Sequence, residues 1–132
     1  MTEEWRPVVG YEGLYEVSDL GRLKRLARIT EPTSYHPNGR RYGEQILDPA
    51  RGSGYRTTRL YRNGDAQTVK IATLVCEAFH GPRPEGMVTC HWNDVRDDDR
   101  AANLRWGTLS DNARDAVRNG RRLRVEPPKP QI

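Results

Sequence analysis

The chain has 132 residues, enough for one domain, or a small domain with an appended arm, and for only a modest core. With 35% hydrophobic and 30% charged residues, three tryptophans and six tyrosines, it is polar but not disordered throughout. Lysine and arginine number 22 against 18 acidic residues, and the sequence pI near 9.3 suits a polyanionic partner without identifying one. Cys76 and Cys90 are the only cysteines and form no CxxC pair, which argues against a zinc ribbon and fits a reducing cytosol. The opening MTEEWRPV has neither the basic start nor the apolar run of a secretory signal, and no stretch approaches membrane-spanning length. A cytoplasmic protein with no membrane partner is expected.

In chain order, the first predicted element is a hairpin. Leu14 to Val17 and Arg22 to Leu26 read as strands around Ser18-Asp19-Leu20-Gly21, where Gly21 can take the positive φ that closes the turn. Arg22, Lys24 and Arg25 line its return strand. Residues 28 to 54 are loop-like, with a short strand expected at Glu44 to Leu47. From Tyr55 alternation returns, with Tyr55, Thr57, Arg59 and Tyr61 on one face and Arg56, Thr58 and Leu60 on the other. The turn signal Asn63-Gly64-Asp65 leads into Gln67 to Ile71, giving a second hairpin that carries Arg56, Arg59, Arg62 and Lys70.

A helix is expected near Ala72 to Phe79, with Leu74, Val75, Ala78 and Phe79 spaced to bury one face. The Gly-Pro-Arg-Pro-Glu-Gly run at 81 to 86 breaks it. Met87 to Cys90 then read as a strand ending at His91, followed by an acidic loop, Asn103, a second short strand (Leu104 to Trp106) and a polar helix from near Leu109. Thr108 with Asp111 reads as a capping box that fixes the helix start, and hence Asn112. Asp97-Asp98-Asp99 reads as a solvated acidic loop, Trp106 as core, and His36 and His80 as structural or exposed. Arg114, Arg118, Arg121, Arg122 and Arg124 extend the basic surface past the helix, and residues 121–132 read as a disordered tail.

The strand, loop, strand, helix order puts an imidazole, His91, and a neutral oxygen ligand, Asn112, on facing elements. Such a pair can hold one divalent cation against a phosphodiester while the imidazole activates water. An imidazole, with an ordinary pKa of about 6.5, suits that task at neutral pH. Arginines and lysines alternating along a β-ribbon can lie along a groove and meet phosphates.

The stretch from Cys90 to Trp106, CHWNDVRDDDRAANLRW, with the helix after it, closely resembles the HNH endonucleases of the phage and intron-encoded homing type. Glu4 to Leu26, EWRPVVGYEGLYEVSDLGRLKRL, resembles the NUMOD4-like DNA-binding motif that accompanies HNH domains in those enzymes. The resemblance implies an α+β protein: antiparallel β-hairpins followed by a ββα-metal nuclease core. Its divisions would be a DNA-binding hairpin motif over 1–27, a loop and basic hairpin over 28–69, the HNH core over 70–120 and the tail over 121–132. It makes His91 the general base and Cys90 and Asn112 the metal ligands. Asn103 then holds the two arms of the loop together and helps orient the histidine.

Two positions depart from the family. Cys90 stands where Asp, Asn or His is common, and a thiol is a poor ligand for Mg²⁺, so the metal would lean on Asn112, phosphate oxygens and water, or be a softer Mn²⁺ or Zn²⁺. Ala72-Thr73 replaces a usual His-Arg pair and supplies neither side chain. The expected function is Mg²⁺- or Mn²⁺-dependent hydrolysis of double-stranded DNA by a monomer or homodimer, as a nick or a cut. Arg22, Lys24, Arg25, Arg56, Arg59, Lys70, Arg114 and Arg118 are the expected DNA contacts. The alternative is a catalytically inactive DNA-binding protein on the same scaffold; an RNA-binding module lacks an aromatic stacking signature.

Overall fold

The computed structural model describes residues 2–50 and 54–118. The expected tail, with Arg121, Arg122 and Arg124, lies outside the described residues. Its N-terminal part is a four-stranded antiparallel sheet in the order β1 (Trp5–Pro7), β2 (Tyr15–Ser18), β3 (Leu23–Arg25), β6 (Gln45–Leu47). Between β3 and β6, β4 (Arg28–Ile29) and β5 (Arg41–Tyr42) pair separately. The expected hairpin is β2–β3, closed by a turn in which Gly21 takes φ +83°. It is not a lone ribbon, because β1 flanks it on one side and β6, within the short strand expected at Glu44 to Leu47, on the other.

The second hairpin pairs β7 (Thr57–Arg62) with β8 (Asp65–Lys70) through Asn63 and Gly64, both at positive φ as a tight two-residue turn requires. β8 runs straight into α1 (Ile71–His80), whose first amide donates to the Arg56 carbonyl in place of a side-chain cap. The chain then forms β9 (Val88–His91), a single 3₁₀ turn at Ala101–Asn103, β10 (Leu104–Gly107) and α2 (Leu109–Arg118). β9 and β10 are antiparallel, with His91 opposite Leu104 and Cys90 opposite Arg105.

One hydrophobic cluster joins the N-terminal sheet to α1 and β10. Val8, Tyr15, Val17 and Leu23 of the N-terminal sheet pack with Leu60, with Ile71, Leu74 and Val75 of α1, and with Leu104 of β10. Trp106 is partly buried against it and donates its indole N–H to the Gly81 carbonyl at 2.9 Å, so the end of α1 is tied to β10. His80 ties the same end to the Ala101 carbonyl at 2.7 Å, a structural use of that ring.

Candidate active site

The loop between β9 and β10 is held by its own side chains. The Asn103 side-chain amide donates to the Asn93 Oδ1 and to the Asp98 carbonyl, each at 2.9 Å, and its oxygen accepts the Asn93 backbone N–H at 3.1 Å. The Asn103 carbonyl also accepts the Trp92 amide at 2.8 Å. One buried side chain therefore closes both arms of the loop, and the residue after His91 is anchored to it.

Asp98 is bound by the Arg100 guanidinium through two hydrogen bonds, at 2.7 and 2.8 Å, and by Asn93 at 2.7 Å. The Arg100 hydrogen bonds, with the one from Asn93, hold its carboxyl down at about 2. Asp99 corrects the reading of a solvated acidic loop. It is 2% exposed, its Oδ1 lies 2.8 Å from the His91 Nε2 and its Oδ2 lies 3.3 Å from the Arg56 Nη1. Only Asp97 of the three is exposed. Three successive aspartates look alike as sequence, and the loop's turns decide which one enters the interior.

His91, 7% exposed, lines a cavity of about 410 Å³. Asn112 of α2, Thr89 of β9, Ala72 and Thr73 at the start of α1, Lys70 at the end of β8, Arg83 and Tyr55 line it too. The His91 and Tyr55 rings lie 5.9 Å apart, with the Lys70 ammonium 4.1 Å from the Tyr55 ring centroid. The expected juxtaposition of His91 and Asn112 is present. Thr108 and Asp111 form the reciprocal cap, at 2.9 and 3.1 Å, that sets the first turn of α2 and so the place of Asn112. Where Ala72 and Thr73 supply no charge, Lys70 and Arg83 bring cations to the same cavity. No spacing rule pointed to Arg83 or Tyr55, because each reaches the site from a loop.

Cys90 is placed differently from the ligand role the resemblance implied. Successive strand side chains point to opposite faces, and with Thr89 and His91 lining the cavity, Cys90 is absent from that lining. Its thiol is fully buried beside Gly107, where an added Cβ would sit 3.0 Å from Sγ and 3.2 Å from the Asp111 Cβ. Burial pushes the thiol's pKa up, which favours the form that binds metal least well. The described residues contain no group of three or more His, Cys, Asp or Glu side chains able to hold a metal. The Asn112 amide oxygen and the threonine hydroxyls are neutral oxygen donors, no acidic side chain among the described residues lines the cavity, and a hard cation would be held there only with water and phosphate oxygens as further ligands.

The expected DNA contacts fall into several environments. Arg22 is paired with Glu3, Lys24 with Glu16 and Glu44, and Arg25 with Gln45 and the Gly43 carbonyl. Arg56 is turned inward on Asp99 with its side chain 13% exposed. Arg118 lies over the Trp92 ring at 3.7 Å and pairs with Asp115, which Arg105 also binds. Arg114 is well exposed beside Asp111, Lys70 faces the cavity, and Arg59 is exposed with no ion pair among the described residues.

Comparison with known proteins agrees with this arrangement. Residues 3–61 match the NUMOD4 motif and residues 70–114 match the HNH endonuclease model. Over these two stretches the chain is similar to HNH endonucleases that carry a NUMOD4 motif. DNA endonuclease I-HmuI of Bacillus phage SP01 is 26% identical over 117 residues, covering 89% of this chain and 59% of that protein. An uncharacterized HNH endonuclease, L247, of Acanthamoeba polyphaga mimivirus is 32% identical over 123 residues, covering 89% of this chain and 27% of its own length. The solved structure described as DNA binding and cleavage by the HNH homing endonuclease I-HmuI superposes with a TM-score of 0.69 at 27% identity, over 89% of this chain and 59% of that one. This chain thus spans about three-fifths of I-HmuI and a smaller part of the mimivirus protein. Among the described residues, the antiparallel strands and two helices are those of the α+β fold expected from the sequence. HNH endonucleases are generally dependent on a divalent metal.

Proposed function

We propose that this chain is a divalent-metal-dependent endonuclease that hydrolyses phosphodiester bonds of double-stranded DNA, one strand per active site. The observation that carries the reading is the shared cavity, where His91, Asn112, Lys70 and Arg83 converge. His91 takes the proton of the attacking water as general base. Lys70 and Arg83 meet the negative charge that grows on the phosphate oxygens. Asn112 would hold the cation, and its amide oxygen suits Mg²⁺ or Mn²⁺. When bound, that cation supplies charge neutralisation and help for the departing 3′-oxygen. Asn103 acts at one remove, by pinning the loop that carries His91.

Cleavage of both strands would take two copies acting together, and a monomer would leave a nick. Among the described residues no helix is long and apolar enough to cross a membrane, and action on DNA inside the cell, in the cytoplasm, is part of this reading. The buried Cys90 and the lack of an acidic cavity side chain favour one rival, a scaffold that binds DNA without cutting it. A plasmid-nicking assay with Mg²⁺, Mn²⁺, Zn²⁺ and EDTA separates the two. Nicking that needs Mg²⁺ or Mn²⁺ and stops with EDTA supports the nuclease, whereas tight binding with no nicking under any metal supports the rival.

A further inference from the structure

The geometry points to Asp99 as the residue that positions His91, and to Arg56 as an internal partner of Asp99 rather than a ligand for DNA phosphates. This inference rests on the general-base reading of His91.

A carboxylate at 2% exposure needs partners, and Asp99 has one on each oxygen, His91 Nε2 at 2.8 Å and Arg56 Nη1 at 3.3 Å. The backbone around it is confined as well. The Ala101 amide donates to the Asp19 carbonyl at 2.8 Å, and Gly21 approaches so closely that an added Cβ would lie 2.8 Å from the Asp99 carbonyl oxygen. The turn of the N-terminal motif and Arg56 just before the second hairpin therefore hold Asp99 from two sides. The side chain has little room to leave its imidazole.

The chemical consequence follows from which ring nitrogen carries hydrogen. Against a carboxylate, the neutral ring keeps its hydrogen on Nε2 and donates it, so Nδ1 is left with the lone pair. Among the described residues Nδ1 has no hydrogen-bond partner, as a nitrogen that must accept a proton from water requires. A general base in the other tautomer would present an N–H where an acceptor is needed. Asp99 thus selects the tautomer and fixes the ring plane, and Arg56 keeps the carboxylate aimed. The DNA-binding motif and the nuclease core meet at this residue, so the motif supports the catalytic base as well as the fold.

The test reads the ring itself as well as cleavage. In protein labelled with ¹⁵N-histidine, three rings report, and a His91→Gln variant assigns the one of interest. With the ring neutral, the native His91 should show a single Nε2–H tautomer. Asp99→Ala should give a mixture of tautomers and cut the single-turnover nicking rate about 10–100-fold, with DNA affinity unchanged. Asp99→Asn keeps an acceptor oxygen and the side-chain volume, so it should retain the tautomer and lose less rate, a partial rescue that also guards against misfolding of the alanine variant. Arg56→Ala should slow nicking while leaving the salt dependence of DNA affinity as it was. A single, unchanged tautomer in Asp99→Ala would overturn the assignment. So would a fall of roughly 0.9 in the log–log salt slope for Arg56→Ala, which would mark Arg56 as neutralising a phosphate. The tautomer is readable whether or not the protein cuts DNA, so a failure of the nuclease reading and a failure of this one are told apart.

Discussion

The hairpins β2–β3 and β9–β10 both carry charged side chains, but they use them in opposite ways. On β9–β10 and its loop, the polar groups that matter are buried and joined: Asn103 to both arms of the loop, Asp99 to His91 and Arg56. On β2–β3 Arg22 is exposed, Lys24 and Arg25 are partly buried, and each is matched with carboxylates or amide oxygens. Hydrogen bonding from the Arg22 guanidinium is the main cause that holds the Glu3 carboxyl at about 2. Buried pairing costs desolvation and returns a fixed geometry, which chemistry needs. Exposed pairing returns little energy and remains exchangeable, which suits a surface that can trade a carboxylate for a phosphate.

The largest effect expected from this contrast is at His91. His91→Ala should reduce single-turnover nicking by about 10²–10⁴-fold and leave DNA affinity nearly unchanged. Equal cleavage by the variant in a plasmid assay would remove His91 from the mechanism and leave β9–β10 a structural hairpin. Asn103→Ala should come next. It strips several partners from one buried loop, and denaturant unfolding should show a loss of about 1–3 kcal/mol, with slower nicking at saturating DNA.

Two smaller effects sharpen the other side of the comparison. Replacing Arg59 and Lys70 with Ala should lower the log–log salt slope of DNA affinity by roughly 0.9 for each phosphate that the native side chains neutralise. Replacing Arg22, Lys24 and Arg25 together should lower it by less per residue, because each already has a partner in the protein. Equal slopes per residue would show that the pairs on β2–β3 open fully on DNA.

The smallest effect concerns Asp98. A carboxyl lowered from 3.8 to about 2 by Arg100 and Asn93 contributes stability that is full above its unfolded value and is lost as the pH falls through about 2. Asp98→Asn should therefore lower the melting temperature at neutral pH, and that deficit should shrink between about pH 4 and pH 2. Thermal unfolding across that range checks it, and a deficit that stays constant would assign the loss to hydrogen-bond geometry instead of charge.

Much of the architecture was legible in the chain because it depends on local rules. The Asn63-Gly64 turn, the apolar spacing of α1 and the Thr108–Asp111 cap each act within a few residues, and each is present in the fold. The spacing from His91 to Asn103 to Asn112 is local in the same sense, since one strand, one loop and one helix carry all three. What the sequence could not decide was which member of a repeated type goes inside. Asp99 rather than Asp97 is buried, Arg56 rather than Arg59 turns inward, and Cys90 points away from the cavity that its neighbours line. Strand β1, too short to have a pattern of its own, pairs with the edge that β2 offers, whereas β6 falls within the short strand expected at Glu44 to Leu47. These outcomes belong to tertiary structure for one physical reason. A buried charge must find its partner across long sequence separations, and only the packed core, shared between the N-terminal sheet, α1 and β10, brings those partners together.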